Sequence, residues 1–211
     1  TTEGLAAITR LTSDGININI TLMFSVKHYN LVTDAWLSGL EERVKRGEPI
    51  SGIASVASFF VSRVDSKLDP RLDAVGLDHL KGTIGIANAK NVYQQFTKVF
   101  TSARWARLAQ QGARVQRVLW GSTSTKNPDY PDTMYVDNLI GPQTVNTVPP
   151  DTLEAFMDHG TVGRTVDQKL TDSRTQLEQL AKAGIDIIVV GDELQDEGVD
   201  KFVNSFDALM E

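Results

Sequence analysis

Four polar side chains stand late in three segments that are otherwise typical of buried strands. Asn19 and Thr21 lie in the first segment, Ser58 lies in the second, and Ser122 ends the third. Amide and hydroxyl groups donate and accept hydrogen bonds, so they could bind the polar groups of a small substrate. Any one of them is equally well explained as a local hydrogen bond at a strand end. The same feature in three strands favours a shared site.

The segments that would position these residues are predicted strands. In residues 16–24 the isoleucines and Leu22 take one face, and the other face is formed by Asn17, Asn19, Thr21 and Met23. The remaining predicted strands are residues 53–61, 114–122 and 144–148. Residues 185–190 also have the apolar periodicity of a buried strand.

Helices are predicted between the four strands. The first is capped by Thr2 and ends at Gly15. The others span residues 26–46 after a Ser25 cap, 70–80 after a polar connection at 65–69, 84–111, 134–139, 151–157 after an Asp151 cap, and 166–183. Strict alternation of strands and helices predicts an α/β fold with a parallel sheet, either doubly wound or a barrel. A closed barrel needs eight strands and about 250 residues, so four strands predict an open sheet or an incomplete chain.

Composition narrows the function classes. The chain has 211 residues, a net charge of −6 with acids and bases interspersed, and no cysteine. These features argue against a nucleic-acid or membrane partner, exclude thiol chemistry, and leave room for a local phosphate pocket. The three histidines, His28, His79 and His159, have no metal-ligand spacing, so no metal is predicted. With no long apolar run and no signal peptide, a cytoplasmic domain is expected.

Five sequence motifs closely resemble the transaldolase family. They are NINITLMFS at residues 17–25, SFFVSRVD at 58–65, IANAK at 86–90, LWGST at 119–123 and LIGPQTVNTVP at 139–149. The resemblance is closest to the longer bacterial branch, some members of which are fused to a glucose-6-phosphate isomerase. It implies a TIM (β/α)8 barrel, of which this chain would supply strands 5–8 and their helices. Residues 1–211 would then be the C-terminal part of a single barrel domain.

The resemblance also implies an activity. Transaldolases of the pentose phosphate pathway transfer a dihydroxyacetone unit from sedoheptulose 7-phosphate to glyceraldehyde 3-phosphate, through a Schiff base on a lysine and without a cofactor. In the family that lysine opens the fourth-strand motif Lys-Ile-Pro-Ala-Thr. Thr1 resembles its last residue, so the lysine would lie outside this chain, with the first three strands. The partners implied are phosphorylated sugars, the missing N-terminal half of the barrel, and a second copy in a homodimer.

Site residues follow from the same resemblance. Asn19 would bind substrate hydroxyls, and Thr21 would hold the water that relays protons to the Schiff base. Ser58 would be a hydroxyl partner and Phe60 an apolar wall, although Phe60 also fits a plain core aromatic. Arg63 is suited to a substrate phosphate, the alternative being a surface pair with Asp65.

The seventh barrel strand is the least certain match. Many family members have a serine and then an arginine there, whereas this chain has Ser122, Ser124 and Lys126. Lys126 would supply the charge for a phosphate, and the serine could be either Ser122 or Ser124. The remaining lysines are predicted to be solvated: Lys27, Lys45, Lys67, Lys81, Lys90, Lys98, Lys169, Lys182 and Lys201.

The resemblance implies a loop and short turn at 185–190, followed by a helix over 197–210. This conflicts with the strand that periodicity alone indicates there. Two other functions remain open, namely a non-catalytic half-barrel that binds sugar phosphates or assembles with a partner, and a related class I aldolase.

Overall fold

The computed structural model describes residues 1–210, and Glu211, the last residue of the predicted domain, lies outside them. Four parallel strands form one sheet in the order β1-β2-β3-β4, which confirms the predicted α/β fold. The strands are β1 (Ile18–Met23), β2 (Ser55–Phe60), β3 (Arg117–Gly121) and β4 (Thr144–Asn146). β1 and β4 are therefore the two edges of the sheet among the described residues.

Nine α-helices and one 3-10 turn are present in residues 1–210. They are α1 (Thr2–Ser13), α2 (Val26–Lys45), α3 (Ser62–Ala74), the 3-10 turn Asp78–Leu80, α4 (Ile84–Phe100), α5 (Ala103–Ala109), α6 (Met134–Asn138), α7 (Pro150–His159), α8 (Leu170–Lys182) and α9 (Ile187–Met210). None of these helices is long and apolar enough to cross a membrane.

Helices cover one face of the sheet. Ala57 and Phe59 of β2 and Trp120 of β3 are fully buried on that face, in a core shared with Tyr29 and Trp36 of α2. On the opposite face Asn19, Thr21 and Arg117 are exposed to solvent. Parallel sheets are normally covered on both faces, so this face is available for further protein or for a ligand.

The start of α3 differs from the prediction. The polar connection at 65–69 and the helix start at Pro70 are both wrong, because α3 begins at Ser62 and continues through Pro70. Val64, Asp65 and Leu68 are buried in this helix, so packing against the neighbouring elements overrides the weak helical propensity of the segment.

Several other helix ends move by a few residues. Thr1, and not Thr2, caps α1, and Gly15 has the positive φ expected just after that helix. The helix predicted over 84–111 is wrong, because it breaks after Phe100 and Ser102 caps a separate α5 by accepting from the Trp105 N–H. Similarly, Pro149 precedes α7 in the cap position predicted for Asp151, and α8 begins later than the predicted residue 166.

The C-terminal segment is one continuous helix. Neither the strand nor the loop and turn expected at 185–190 is correct, because α9 already begins at Ile187. The Asp186 side chain accepts a hydrogen bond from the Ile188 N–H at 2.8 Å, as a helix cap does. Beyond residue 199, α9 exposes apolar side chains to solvent: Phe202, Val203, Phe206, Leu209 and Met210.

The first half of α9 packs closely against β1 and the start of α2. A Cβ built on Gly191 would lie 2.9 Å from the Ser25 Cβ, and one on Gly198 would lie 2.9 Å from a methyl group of Leu22. The Gln195 side chain donates to the Leu22 carbonyl at 2.9 Å. α9 is thereby fixed at the carboxyl end of β1.

Candidate active site

Asn19 and Ser58 meet on the uncovered face of the sheet. The Ser58 hydroxyl donates to Asn19 Oδ1 at 2.6 Å, so the neighbouring strand fixes the orientation of the Asn19 amide. Ser58 is buried and Asn19 is exposed. The amide NH2 of Asn19 is left to face the open side of the sheet, where it can donate to a bound oxygen atom.

A bulge in β1 sets the position of Thr21. Ile20 pairs with Ala57 and Met23 with Phe59, so three residues of β1 advance against two of β2. Leu22 in the bulge has φ 61°, a left-handed conformation that a leucine rarely adopts. Thr21 is exposed beside Asn19, and its side chain makes no hydrogen bond with the described residues. Bulges of this kind are frequent beside active sites.

The bulge also reverses the predicted alternation. Met23, predicted on the polar face with Asn19 and Thr21, is fully buried in the helix-covered core. Leu22 instead packs in a second cluster with Phe24 and Val64. The strict alternation predicted to the end of residues 16–24 is therefore wrong after Thr21, because one extra residue changes the facing of those that follow.

Arg63 lies against Phe60 at the carboxyl end of β2. Its guanidinium carbon is 5.0 Å from the centre of the Phe60 ring, within the range of a cation–π contact. Phe60 is half-buried and also contacts Phe24, with ring centres 5.4 Å apart. Among residues 1–210 Arg63 has no carboxylate partner, and Asp65 binds other groups.

Ser122 lies beside the first turn of α3. Its hydroxyl is 2.8 Å from the Ser62 hydroxyl, and its carbonyl accepts from the Ser62 N–H at 2.9 Å. Ser122 has φ 53°, so the chain turns sharply as β3 ends. The Lys126 ammonium donates to the Ser124 hydroxyl at 2.6 Å and has no carboxylate partner within the described part of the chain. Ser62, the neighbour of Arg63, was not singled out from the sequence.

Comparison with known proteins identifies the family. The whole chain, residues 1–211, matches the family model described as Transaldolase/Fructose-6-phosphate aldolase. It is 47% identical over 215 residues to a transaldolase of Thermobifida fusca, 48% to one of Mycolicibacterium smegmatis, and 49% over 214 residues to one of an Arthrobacter species. The chain belongs to the transaldolase/fructose-6-phosphate aldolase family. Each comparison covers 100% of this chain but 58% of the relative, so the chain spans less than two thirds of their length.

Two buried bases of this transaldolase-family chain lie outside the site. Lys90, predicted to be solvated, is buried and donates to the Gln168 carbonyl at 3.0 Å, and burial lowers the pKa of its ammonium. The prediction is wrong because Lys90 lies on the packed side of α4. The Nδ1 atom of His28 accepts from the Phe24 N–H, its Nε2 atom contacts Asp192 at 2.8 Å, and burial lowers its pKa.

The histidines and acids of residues 1–210 are dispersed over the structure. Residues 1–210 contain no group of three or more histidine, aspartate or glutamate side chains that could hold an ion. The two ring nitrogens of His28 are both engaged in contacts within the protein. At the carboxyl edge of the sheet, the described residues offer hydrogen-bonding groups and the positive charges of Arg63 and Lys126.

Two aspartates of α3 stand behind the site in similar arrangements. Asp65 accepts from the Gly85 N–H at 2.8 Å and from the Tyr135 hydroxyl at 2.9 Å. Burial raises the pKa of the Asp65 carboxyl to about 7. These residues were missed from the sequence, where the only signal was the pair of acids four residues apart on one helix.

The second aspartate, Asp69, repeats this pattern one turn further along α3. It accepts from the Gly82 N–H at 3.0 Å and from the Tyr130 hydroxyl at 2.7 Å. Burial, together with the contact to Asp69, raises the pKa of Tyr130, so its hydroxyl keeps its proton and remains the donor. Each aspartate thus joins α3 to the start of α4 and to the segment that follows β3.

Proposed function

We propose that this chain is part of a transaldolase of the pentose phosphate pathway. The enzyme would transfer a dihydroxyacetone unit from sedoheptulose 7-phosphate to glyceraldehyde 3-phosphate through a Schiff base on a lysine. The observation that carries the proposal is the meeting of Asn19 and Ser58 on the open face of a parallel sheet. β/α barrels build their active sites toward the carboxyl ends of the strands, and Thr21 and Ser58 lie in the second halves of β1 and β2. Soluble sugar phosphates as substrates favour a cytoplasmic location.

The chain would supply strands 5–8 of an eight-stranded barrel, with residues 1–211 as the C-terminal part of one domain. Two features support this, namely the uncovered sheet face and the edges at β1 and β4. Closing the barrel would cover that face and pair the edges. The reactive lysine would then belong to the strand that pairs with β1, outside this chain. The full-length protein would contain all eight strands. It would belong to the longer bacterial branch, with or without a fused isomerase.

The catalytic roles follow from hydrogen-bonding geometry. Because the Ser58 hydroxyl occupies Asn19 Oδ1, the amide NH2 would donate to a hydroxyl of the dihydroxyacetone unit. Thr21, exposed two residues later, would hold the water that moves protons to and from the Schiff base. Phe60 would wall the site and keep Arg63 in place through their ring contact.

The phosphate would be bound at the start of α3. Arg63 offers a forked donor without a competing carboxylate within residues 1–210, and Lys126 offers a second positive charge. Ser122 would place its hydroxyl beside them, with Ser124 as the alternative because it already contacts Lys126. A substrate phosphate would compete with the solvent-exposed hydrogen bond from Lys126 to Ser124.

Turnover by the full-length protein tests the proposal. We expect transfer from sedoheptulose 7-phosphate to glyceraldehyde 3-phosphate, and a borohydride-reduced adduct on a lysine outside this chain. Release of free dihydroxyacetone without an acceptor would instead indicate a class I aldolase. Substrate binding without turnover would indicate a non-catalytic half-barrel.

The 211-residue chain alone supplies the matched control. Because no lysine here has the position proposed for the nucleophile, borohydride and fructose 6-phosphate should leave every lysine of the isolated chain unmodified. A reduced adduct on any of them, identified by peptide mass spectrometry, would refute the assignment of the reactive lysine. Sedimentation of the full-length protein decides whether it forms the proposed homodimer.

A further inference from the structure

The segment between β3 and α6 is anchored to α3 at two points. At its start, Ser122 contacts Ser62 through both the hydroxyl groups and the backbone. Near its end, the Tyr130 hydroxyl donates to Asp69 at 2.7 Å. Seven residues of α-helix separate Ser62 from Asp69, a rise of about 10 Å along the axis. Ser124 and Lys126 lie between the two anchors, and Arg63 directly follows the first one.

The Tyr130 anchor is held rigidly. Its ring lies on Gly82, where a built Cβ would come within 2.8 Å of the ring carbons, and φ 69° at Gly82 further requires a glycine. The other oxygen of Asp69 accepts from the Gly82 N–H at 3.0 Å, so the carboxylate is fixed as well. The contact with Gly82 and the hydrogen bond to Asp69 together hold Tyr130 against α3.

Hydrogen bonds within the segment transmit the position of Tyr130 to Lys126. The Thr125 hydroxyl donates to the Pro131 carbonyl at 2.9 Å, which joins the residues on either side of the turn. The Tyr130 N–H donates to the Asn127 carbonyl at 3.2 Å, and the Asp129 N–H donates to the Asn127 side chain at 3.0 Å. These bonds connect Tyr130 and Pro131 to Asn127 and Thr125, the two neighbours of Lys126.

We propose that Tyr130 is a positioning residue for the phosphate end of the substrate, and that its bond to Asp69 fixes Ser124 and Lys126 relative to Arg63. The inference rests on the proposed function, because it assumes that these three residues bind a phosphate. Tyr130 itself does not touch the substrate. The parallel bond from Tyr135 to Asp65 holds the following helix to α3 in the same way.

The test is Tyr130→Phe in the full-length protein, which removes the hydroxyl and leaves the ring on Gly82. We expect kcat/KM to fall about tenfold for glyceraldehyde 3-phosphate, mostly through KM, and to change less than about twofold for glyceraldehyde. The inhibition constant of inorganic phosphate should rise by a similar factor. Tyr93→Phe is the matched control, because it removes a hydroxyl that donates to the Pro142 carbonyl at 3.0 Å on another loop.

A second variant guards against misfolding. Asp69→Ala should give the same split between phosphorylated and unphosphorylated substrates, and the double variant should be no worse than Asp69→Ala alone. Equal losses for both substrates, or no loss for either, would overturn the inference while leaving the proposed function intact. A wild-type enzyme that neither prefers the phosphorylated substrate nor binds inorganic phosphate would overturn the phosphate site and this inference together.

Discussion

Arg63 occupies a position that combines charge with an apolar support. Its guanidinium contacts the Phe60 ring and has no carboxylate partner among the described residues. Further along the same helix, Arg71 binds Glu193 of α9 at 2.5 Å, and Lys67 contacts both Glu193 and Glu197. The paired cations therefore hold α9, whereas Arg63, which has no such partner, is the cation that we propose for a substrate phosphate.

Arg63→Ala in the full-length protein should lower kcat/KM selectively for phosphorylated substrates. The loss of charge-assisted hydrogen bonds is expected to cost about 2–3 kcal/mol, or roughly 30- to 150-fold in kcat/KM. Dihydroxyacetone transfer to an unphosphorylated acceptor should change far less. Arg107→Ala, on the exposed side of α5, is the control. Parallel losses with both kinds of acceptor would show that Arg63 has a structural role only.

Asp65 should make stability depend on pH. Its folded-state pKa of about 7 lies above the unfolded value of about 3.9, so the native state binds more protons between those limits. The free energy of unfolding should therefore fall as pH rises from about 4 to 7, and then stay level. Asp65→Asn keeps an acceptor for Gly85 and removes the buried charge, so this decline should disappear.

Urea denaturation of the full-length protein at pH 5 and pH 8 measures the effect. The free energy of unfolding of Asp65→Asn relative to that of the wild type should rise from pH 5 to pH 8, by on the order of 1–3 kcal/mol. Asp207→Asn, exposed on α9, should show no such growth. A difference between Asp65→Asn and the wild type that is the same at both pH values would contradict the protonation argument.

At the scale of elements, local signals in the sequence predict which strands exist better than where helices begin. The four strands and their parallel order follow from alternating periodicity and helical spacers. The early start of α9 was missed because Ile187–Val190 are β-branched, although Asp186 was present as a capping signal. The bulge at Leu22 has no local signal, since packing against α9 accompanies it.

One contact of the predicted site could be anticipated from the sequence, whereas others could not. The partnership of Asn19 with Ser58 could be anticipated, because both are polar residues predicted late in consecutive strands, although Asn19 is the second residue of β1 in the structure. The aspartates of α3 could not be linked to Tyr130 and Tyr135 from the sequence. Those pairs join residues 61 and 70 positions apart, and only the tertiary structure brings them together.

Close packing between α1 and α2 provides a prediction for these elements. A Cβ on Gly39 would lie 2.6 Å from the Thr9 carbonyl oxygen, a backbone atom that cannot yield cheaply. Gly39→Ala should therefore separate the helices and destabilise the full-length protein by about 1–3 kcal/mol. Gly52→Ala, with no atom within 4 Å of the built Cβ, is the matched control. Equal midpoints of thermal unfolding for the two variants would refute the packing argument.

At the scale of the whole molecule, the described chain has one uncovered sheet face and two free strand edges. β1 and β4 each have a single neighbour, and α9 exposes five apolar side chains past the end of its packed half. Exposed edges and apolar stripes favour association with other protein. These surfaces are expected to be covered in the full-length protein.

Expressed alone, the 211-residue chain should therefore self-associate. Sedimentation is expected to show dimers or larger species, and supplying the other half of the barrel in trans should restore a soluble complex. The complementing half should also suppress binding of a hydrophobic dye to the exposed face. A compact monomer with a sharp cooperative melt would contradict the half-barrel proposal and favour a complete open-sheet domain.

The close contact between α9 and Ser25 limits which substitutions α9 can accept during evolution. Gly191 has no proposed part in chemistry, yet even a methyl group there would strike the short side chain of Ser25, which is fully buried at the start of α2. At Gly198 the obstacle is the flexible end of Leu22, which can give way. Mutational tolerance should therefore be low at position 191 and appreciably higher at 198. A saturation library would reject most replacements at 191, while alanine at 198 would survive.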